Sequence, residues 1–270
     1  MQIQVYNDWD HVPKALEQGT DQVVLAWDGE YRKGDVIEFS GLEPGQFYVV
    51  RADAALDEAL VYVACESILY PVPFYEKKTS YNPLCFFGNR HYLTIRRARD
   101  FEIRRYRNLA LNPFDQHEAC GVFPHASANV ETRGEAVFAA RNAIDGVLAA
   151  KSHGEWPYES WGINRQDDAA LTLEFGRPVD IDEIRLYTRA DFPHDNWWVM
   201  GTLVFSDGTS MQLPMEKKVG EPHCFRLDQA KSGITWVRLE ALIKADDPSP
   251  FPALTQIEVY GTESGLSTDN

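Results

Sequence analysis

The sequence lacks several features that would place the chain in a specialised class. Only four of its 270 residues are cysteines (Cys65, Cys85, Cys120 and Cys224), and no two of them form a CxxC pair. Their small number and wide spacing favour free thiols over a disulfide framework. No apolar run approaches the roughly 18–20 residues that a membrane-spanning helix requires. No membrane partner is therefore expected.

Positive charge is scarce. The chain has 26 Lys plus Arg against 41 Asp plus Glu, a formal net charge of −15. This balance argues against binding nucleic acid through its phosphates, so no nucleic-acid partner is expected. One segment is basic although the chain as a whole is acidic. Six arginines lie in residues 96–107: Arg96, Arg97, Arg99, Arg104, Arg105 and Arg107. A solvated strand face or ion pairs within the acidic protein is the favoured interpretation, and contact with an anion is the alternative.

The N-terminus shows no targeting signal. Its residues MQIQVYNDWDH have neither the basic n-region nor the apolar h-region of a signal peptide. A cytoplasmic location is therefore expected, or an extracellular one if a leader has been removed.

Catalytic signatures are also missing. The sequence contains no GxSxG, HExxH, Walker or dinucleotide-binding motif. With seven histidines and 41 acidic residues, an acid–base pair can always be found, so their abundance is no evidence for catalysis. A non-catalytic role is favoured.

Short β-strand patterns fill most of the chain. Runs rich in β-branched and aromatic residues alternate with Gly, Pro, Asp and Asn, as in QVVLAW (22–27), QFYVVRA (46–52), HYLTIRR (91–97) and EIRLYTR (183–189). They predict an all-β fold of two β-sandwich domains, with residues 1–100 as the first, 101–262 as the second and 263–270 as a frayed tail. Two short helices are predicted, over 10–18 and 135–143.

The second half carries an ordered set of motifs that resembles a known family. The set comprises RNLALN (107–112), NAIDG (142–146), SWG (160–162), LTLEFGRPVDIDEIRLYTR (171–189), FSDG (205–208), TWVRLEAL (235–242) and LTQIEVYG (254–261). It resembles the discoidin or coagulation-factor C-type domain, including the family 32 carbohydrate-binding modules. The resemblance implies an eight-stranded jelly roll that binds its ligand through loops at one end. Relatives bind sugars, phospholipid head groups or proteins, so the fold alone does not name a ligand.

The same resemblance implies a structural calcium ion beneath the helix at 135–143. Asp145 and Glu258 match the family's carboxylate ligands, and Asn142 could supply its backbone carbonyl. Calcium needs about 6–8 oxygen ligands, so further oxygens must come from the loop after residue 146. That loop, VLAAKSHGEWPYESWG, is longer and more apolar than the family's.

Aromatic and polar residues crowd the two segments that flank the strand at 171–189. An aromatic ring can cover the C–H face of a sugar while polar side chains bond its hydroxyls. The expected ligand is therefore a glycan or small sugar, and the candidate binding residues are Trp156, Arg165, Arg189, Asp191, His194, Asp195, Asn196 and Trp198.

Structural roles compete with several of these assignments. Trp161 matches the family's core tryptophan, and alternation directs only one of Trp197 and Trp198 outward. Arg189 could pair with Asp191 instead of a sugar, and His194 could cap a turn.

Two other functions remain open. The chain could be a protein-interaction or accessory subunit that binds its partner through the N-terminal domain, where residues 70–92 are dense in proline and aromatic residues. It could also be a carbohydrate-active enzyme with a site between the domains, which would require paired carboxylates or a histidine of perturbed pKa.

Overall fold

Antiparallel strands make up most of the structure. The computed structural model describes residues 1–118, 121–151, 153–192 and 194–265. The predicted all-β fold class is confirmed, since every strand pairing is antiparallel and the helices are short. Within these residues no helix is long and apolar enough to cross a membrane.

The first half of the chain forms two sheets that face each other. One sheet has the order β2-β1-β4-β7, from β1 (Gln2–Asn7), β2 (Pro13–Gln18), β4 (Asp35–Ser40) and β7 (Ser67–Pro71). The other has the order β10-β6-β5-β8-β3, from β3 (Gln22–Asp28), β5 (Gln46–Arg51), β6 (Ala59–Val63), β8 (Arg90–Arg97) and β10 (Val122–Phe123). Alternate residues of β1 point inward, so that Ile3 and Val5 are fully buried against Ile37 and Val61.

The helix predicted over 10–18 is wrong. Residues Pro13–Gln18 form β2, which pairs with β1 at the edge of the sheet. Because an edge strand buries little, the alternation that identifies a strand is weak in this segment.

The second half forms one hydrogen-bonded system of eight strands. The strands are β9 (Arg107–Asn108), β11 (His125–Ala128), β12 (Trp161–Gly162), β13 (Leu171–Arg189), β14 (Trp198–Phe205), β15 (Ser210–Pro214), β16 (His223–Lys244) and β17 (Ala253–Glu263). Their order in the sheet is β12-β17-β13-β16-β14-β15, while β11 pairs with β13 and β9 pairs with β17. Trp161 is fully buried in this core, as its match to the family's core tryptophan predicts.

Helical segments are few and short. The described residues form a single α-helix, α1 (Asp100–Arg104), which links β8 to β9. The helix predicted over 135–143 takes the form of two 3-10 helices, Ala136–Phe138 and Ala140–Ile144. Two more 3-10 helices cover Tyr75–Ser80 and Thr132–Gly134.

Residues that follow the predicted boundary near 100 contribute to both cores. Phe114 and Val122 are buried among the residues of the first core, and β10 pairs with β6. The Phe114 ring stacks on Tyr70 with centroids 4.8 Å apart. The division into two domains stays a prediction, but the first sandwich is completed by chain beyond its predicted end.

The predicted tail begins later than expected. Glu263 is the last residue of β17 and its carboxylate forms ion pairs with Arg107 and Arg177. It is therefore part of the folded second half. Residues 266–270 lie outside the described residues.

The cysteines contribute no disulfide framework among the described residues. Cys85 is a buried free thiol and Cys224 an exposed one, while Cys120 lies outside the described residues. Burial raises the pKa of Cys85 to about 12, so this thiol stays protonated at neutral pH.

The contribution of Phe114 to the first core can be tested by substitution. Phe114→Ala should lower the free energy of unfolding by about 3–5 kcal/mol, because it leaves a cavity between Tyr70 and Phe39. Urea unfolding followed by tryptophan fluorescence measures the change. Phe192→Ala is the matched control, since Phe192 is 81% exposed. Equal effects of the two substitutions would contradict the assignment.

Candidate functional site

The two loops that carry the candidate sugar-binding residues meet at one end of the second core. The ring of His153, from the first loop, lies 5.7 Å from the ring of His194, from the second. Arg189, at the end of β13, donates a hydrogen bond to the carbonyl oxygen of Tyr158 in the first loop. Residues that are remote in sequence therefore share one surface.

Arg189 holds these loops together. Its side chain is fully buried and its Nε lies 3.1 Å from a carboxylate oxygen of Asp191. With the Tyr158 carbonyl as a further acceptor, the guanidinium is engaged on both sides. Arg189 therefore positions Asp191 and the first loop, and it offers no exposed surface to a ligand.

A small pocket opens beside Arg189 and Asp191. It has a volume of about 120 Å3 and lies between Leu148–Ala150 of the first loop, residues 187–191 and Val219–Gly220, with Thr255 behind. Leu148 is 42% exposed and Val219 is 60% exposed. The hydroxyl of Thr188 is buried without a hydrogen-bond partner among the described residues. The pocket thus combines apolar surface with a carboxylate and an unsatisfied hydroxyl.

His194 is buried beside this pocket in the neutral form. Its Nδ1 lies 3.2 Å from the carbonyl oxygen of Phe251, so Nδ1 carries the hydrogen and donates it. Its Nε2 is buried without a partner among the described residues. Burial, followed by the charge of Arg189, lowers the pKa of His194 to about 4. At neutral pH Nε2 is therefore an unused hydrogen-bond acceptor.

Two of the predicted binding residues are structural. Asn196 is fully buried; its amide nitrogen donates to the carbonyl of Ser249 at 2.7 Å, and its oxygen accepts the backbone N–H of Trp197. Trp198 is also fully buried, with its ring 6.4 Å from that of Trp161. Neither side chain has surface for a ligand, so we correct these two assignments and leave both out of the proposed site. Trp197 is the half-buried member of the pair.

The remaining predicted residues do not line the pocket. Arg165 is exposed and its guanidinium lies 4.5 Å above the Phe251 ring, which borders His194. Trp156 is half-buried and its side chain hydrogen-bonds to Glu159. Asp195 is half-buried.

The sequence did not identify Leu148, Thr188 or Val219 as pocket residues. Each is a common residue type in an ordinary local context, so no motif marks it.

The calcium ligands implied by the resemblance assemble only in part. Glu258 lies on β17 beside Arg185, with Oε2 and Nη1 4.0 Å apart, and is therefore not directed at Asp145. Gln256 occupies that position instead. Its amide nitrogen donates to the Asn142 carbonyl and to Asp145 Oδ1, each at 2.6 Å. The implied role of Glu258 is corrected accordingly.

A second buried carboxylate lies near Asp145. Burial, followed by the charge of Glu159, raises the pKa of Asp145 well above its usual value. Glu159 is itself buried, and its Oε1 has no hydrogen-bond partner among the described residues. Arg141 supplies one positive charge to this cluster, which leaves one carboxylate unbalanced. An orphaned carboxylate oxygen beside a second carboxylate fits a hard cation, with Glu159 in the role expected of Glu258.

The described residues contain no group of three or more His, Cys, Asp or Glu side chains arranged to hold a metal ion. Backbone carbonyls such as that of Asn142 would have to supply most of the ligands of a cation at Asp145.

The N-terminal domain exposes part of its proline- and aromatic-rich segment. Tyr75, Leu84 and Phe87 are mostly exposed on its surface. These side chains are the ones available to a protein partner of this domain, which stays a prediction.

The buried neutral imidazole of His194 should make folding sensitive to acid. Its pKa is about 4 in the folded state and ~6.5 in the unfolded state, so the unfolded state takes up a proton first as the pH falls. Neutral His194 contributes fully to the free energy of unfolding above pH ~6.5. This free energy should therefore fall by about 2 kcal/mol between pH ~7.5 and ~5. Urea unfolding at the two pH values measures this change.

His194→Asn is the matched variant for this test. An asparagine amide can still donate to the Phe251 carbonyl but does not titrate. The variant should therefore lose about 2 kcal/mol less than the original protein over the same interval. Equal losses in the two proteins would rule out this role for His194.

Comparisons with known proteins give a family profile and a set of solved folds. Residues 122–247 match a family described as "Domain of unknown function (DUF7402)". A search of curated proteins finds no match.

Solved structures similar to this chain include carbohydrate-binding modules, as the sequence resemblance predicts. Chitosan-binding module 1 from a chitosanase/glucanase of Paenibacillus sp. IK-5 is 19% identical, with a TM-score of 0.39 over 57% of this chain and 98% of that one. The family 32 module of Clostridium perfringens NanJ, solved with galactose, is 18% identical, with a TM-score of 0.36 over 50% of this chain and 91% of the module. A Streptococcus pneumoniae fucose-binding module is 12% identical, with a TM-score of 0.41 over 58% and 98%. At such identities and scores these similarities assign no ligand to this chain.

Proposed function

We propose that this chain is a non-catalytic glycan-binding protein and that its sugar site is the pocket between Leu148–Ala150, Thr188–Asp191 and Val219. The observation that carries the proposal is the pairing of two features in one small concavity. Exposed apolar side chains form one wall, and the other wall presents the Asp191 carboxylate with the unsatisfied Thr188 hydroxyl. A sugar ring has the matching pair of surfaces, since it is apolar on its C–H face and polar around its edge.

Each side chain has a distinct task in this proposal. Leu148 and Val219 cover the C–H face of the ring, and Asp191 accepts hydrogen bonds from sugar hydroxyls. Thr188 donates its hydroxyl hydrogen, which satisfies a buried polar group that otherwise costs about 1–3 kcal/mol. Arg189 holds the Asp191 carboxylate in place. A sugar hydroxyl forms a stronger hydrogen bond with a charged carboxylate than with a neutral acceptor, so Asp191 should contribute most of the specificity.

The surroundings of the pocket suit a ligand larger than one sugar. The exposed Arg165 guanidinium stacks on Phe251, whose ring borders that of His194. A second sugar unit could place a hydroxyl on Arg165. Because the pocket is small, about 120 Å3, binding should be weak for a monosaccharide and stronger for an oligosaccharide.

A charge placed on the apolar wall tests the site. Leu148→Asp should weaken binding of the best ligand in a sugar panel by about tenfold or more, because a carboxylate replaces the surface that covers the C–H face. Isothermal titration calorimetry with monosaccharides and oligosaccharides measures the affinity. Since Leu148 is already 42% exposed, the substitution should leave the fold intact.

Leu16→Asp is the matched control, because Leu16 is 50% exposed on β2 in the other half of the chain. It should bind sugar as the unmodified protein does. The proposal fails if no sugar of the panel gives saturable binding, or if Leu148→Asp binds as tightly as the control.

We also propose that a calcium ion is held by Asp145, Glu159 and the Asn142 carbonyl. The support is the buried, unpartnered Oε1 of Glu159 near a second buried carboxylate. A divalent cation would offset the charge that Arg141 leaves unbalanced. It would also fix the loop after residue 146, which carries Leu148, to the 3-10 helix Ala140–Ile144.

Thermal unfolding with and without calcium tests this proposal. At a free concentration a hundredfold above its Kd, calcium should stabilise the protein by about 2.7 kcal/mol, which raises Tm by several degrees over the EDTA-treated sample. Asp145→Asn and Glu159→Gln should each remove the shift, while Glu258→Gln should keep it. An absent shift in the unmodified protein, or one that survives Glu159→Gln, would overturn the assignment.

A further inference from the structure

The arginine-rich segment that stands out in the acidic sequence lies between the two sandwiches. A cleft of about 340 Å3 opens there, lined by residues of both halves of the chain. Four arginines and two glutamates contribute to its wall: Arg96, Arg105, Arg107, Arg177, Glu58 and Glu102. A local excess of guanidinium groups is unexpected in a chain with a net charge of −15.

One of these arginines is fully neutralised by a glutamate. Arg96 donates two hydrogen bonds to the carboxylate of Glu102, at 2.7 and 2.8 Å. This pair, led by its hydrogen bond from Arg96, lowers the pKa of Glu102 to about 2. The pair therefore adds no net charge to the cleft, and neither member is free to act as an acid or base. That arrangement differs from the unpaired carboxylates that an enzyme between the domains would need.

Two other arginines share a single carboxylate. Arg177 donates to both oxygens of Glu263, at 2.7 and 3.0 Å, and Arg107 donates to one of them at 2.5 Å. The side chains of Arg107 and Arg177 are each at least nine-tenths buried. Burial lowers the pKa of Arg107, and the charge of Arg177 adds to that effect. Two cations against one anion leave an excess positive charge in a place where water screens it poorly.

A further guanidinium lies at the surface of the cleft. Arg105 is exposed and has no ion-pair partner in the described part of the chain. Apolar surface is also present, because Leu111 is partly exposed in the same wall and Leu60 and Leu109 line it. The cleft therefore offers one free cation, one buried unbalanced cation and an apolar patch.

We propose that this interdomain cleft is a second ligand site, distinct from the sugar pocket, and that it binds a small organic anion bearing a phosphate or carboxylate group. The oxyanion lies between Arg105 and the Arg107–Arg177 pair. There it balances the positive charge of this pair that the single carboxylate of Glu263 does not neutralise. The remainder of the ligand covers Leu111. Arg177 lies in the first half of β13 and Arg189 is its last residue, and no residue lines both sites.

Isothermal titration calorimetry with four probes at low ionic strength tests the proposal. Glucose 6-phosphate, glucuronate and glucose share one sugar skeleton and differ in charged group, and inorganic phosphate carries the charge alone. Saturable binding is expected for glucose 6-phosphate or glucuronate and not for glucose at this site. The tighter of the two anions identifies the oxyanion that the cleft recognises. If neither anion binds saturably, the proposal fails.

Arg105→Glu and Arg104→Glu form a matched pair of variants. Both arginines are exposed neighbours on α1 or at its end, and only Arg105 lines the cleft. Arg105→Glu should weaken anion binding by roughly tenfold or more, because it removes a charge-assisted hydrogen bond and adds a repelling charge. Arg104→Glu should change it less than about twofold. Equal weakening by the two substitutions would mean diffuse attraction to the arginine-rich segment and would overturn the assigned site.

Discussion

The pairing of β13 on both of its edges is the constraint on which both candidate sites depend. One edge of this strand is bonded to β16, and the other is bonded to β11 over residues 171–174 and to β17 over residues 179–189. Its inward residues, including Phe175, Ile184 and Leu186, are fully buried. A slip of one residue in either pairing would turn these side chains toward water, so the register is fixed. Arg189 is the last residue of this strand, and Arg177 lies in the irregular stretch between Glu174 and Val179.

The two arginines serve different purposes in similar surroundings. Arg189 has an aspartate partner two residues away and a carbonyl from the neighbouring loop, so its charge is satisfied. Arg177 has to share Glu263 with Arg107. Buried ion pairs contribute little net stability, and what they supply is a defined geometry. At Arg189 that geometry orders a loop, and at Arg177 it leaves an excess positive charge.

The sequence predicted many of the strands that have one buried face, and it was wrong at an edge strand whose burial is slight. In the run QVVLAW of β3, buried and exposed residues alternate because one face of the strand covers the core. The segment Pro13–Gln18 shows little alternation because β2 buries little of its surface. A propensity argument has no information about which neighbour a strand will pair with.

The candidate site was predicted at the level of its loops and less well at the level of its side chains. Alternation indicated that one of Trp197 and Trp198 points inward, but only the packing against Trp161 determines which. Asn196 has the composition of a ligand-binding residue, yet its amide completes the backbone hydrogen bonds of the turn. The contact between Arg177 and Glu263 joins residues 86 positions apart, and no local pattern encodes it.

The position of β10 has a consequence for synthesis of the chain. The first sandwich is complete only when Val122 pairs with β6 and Phe114 fills the space beside Tyr70. A nascent chain that ends near residue 100 thus carries an open sheet edge and an unfilled core. The first sandwich therefore stays incomplete until residue 122 has emerged from the ribosome. By then α1 and β9, which connect it to the second half, have also emerged.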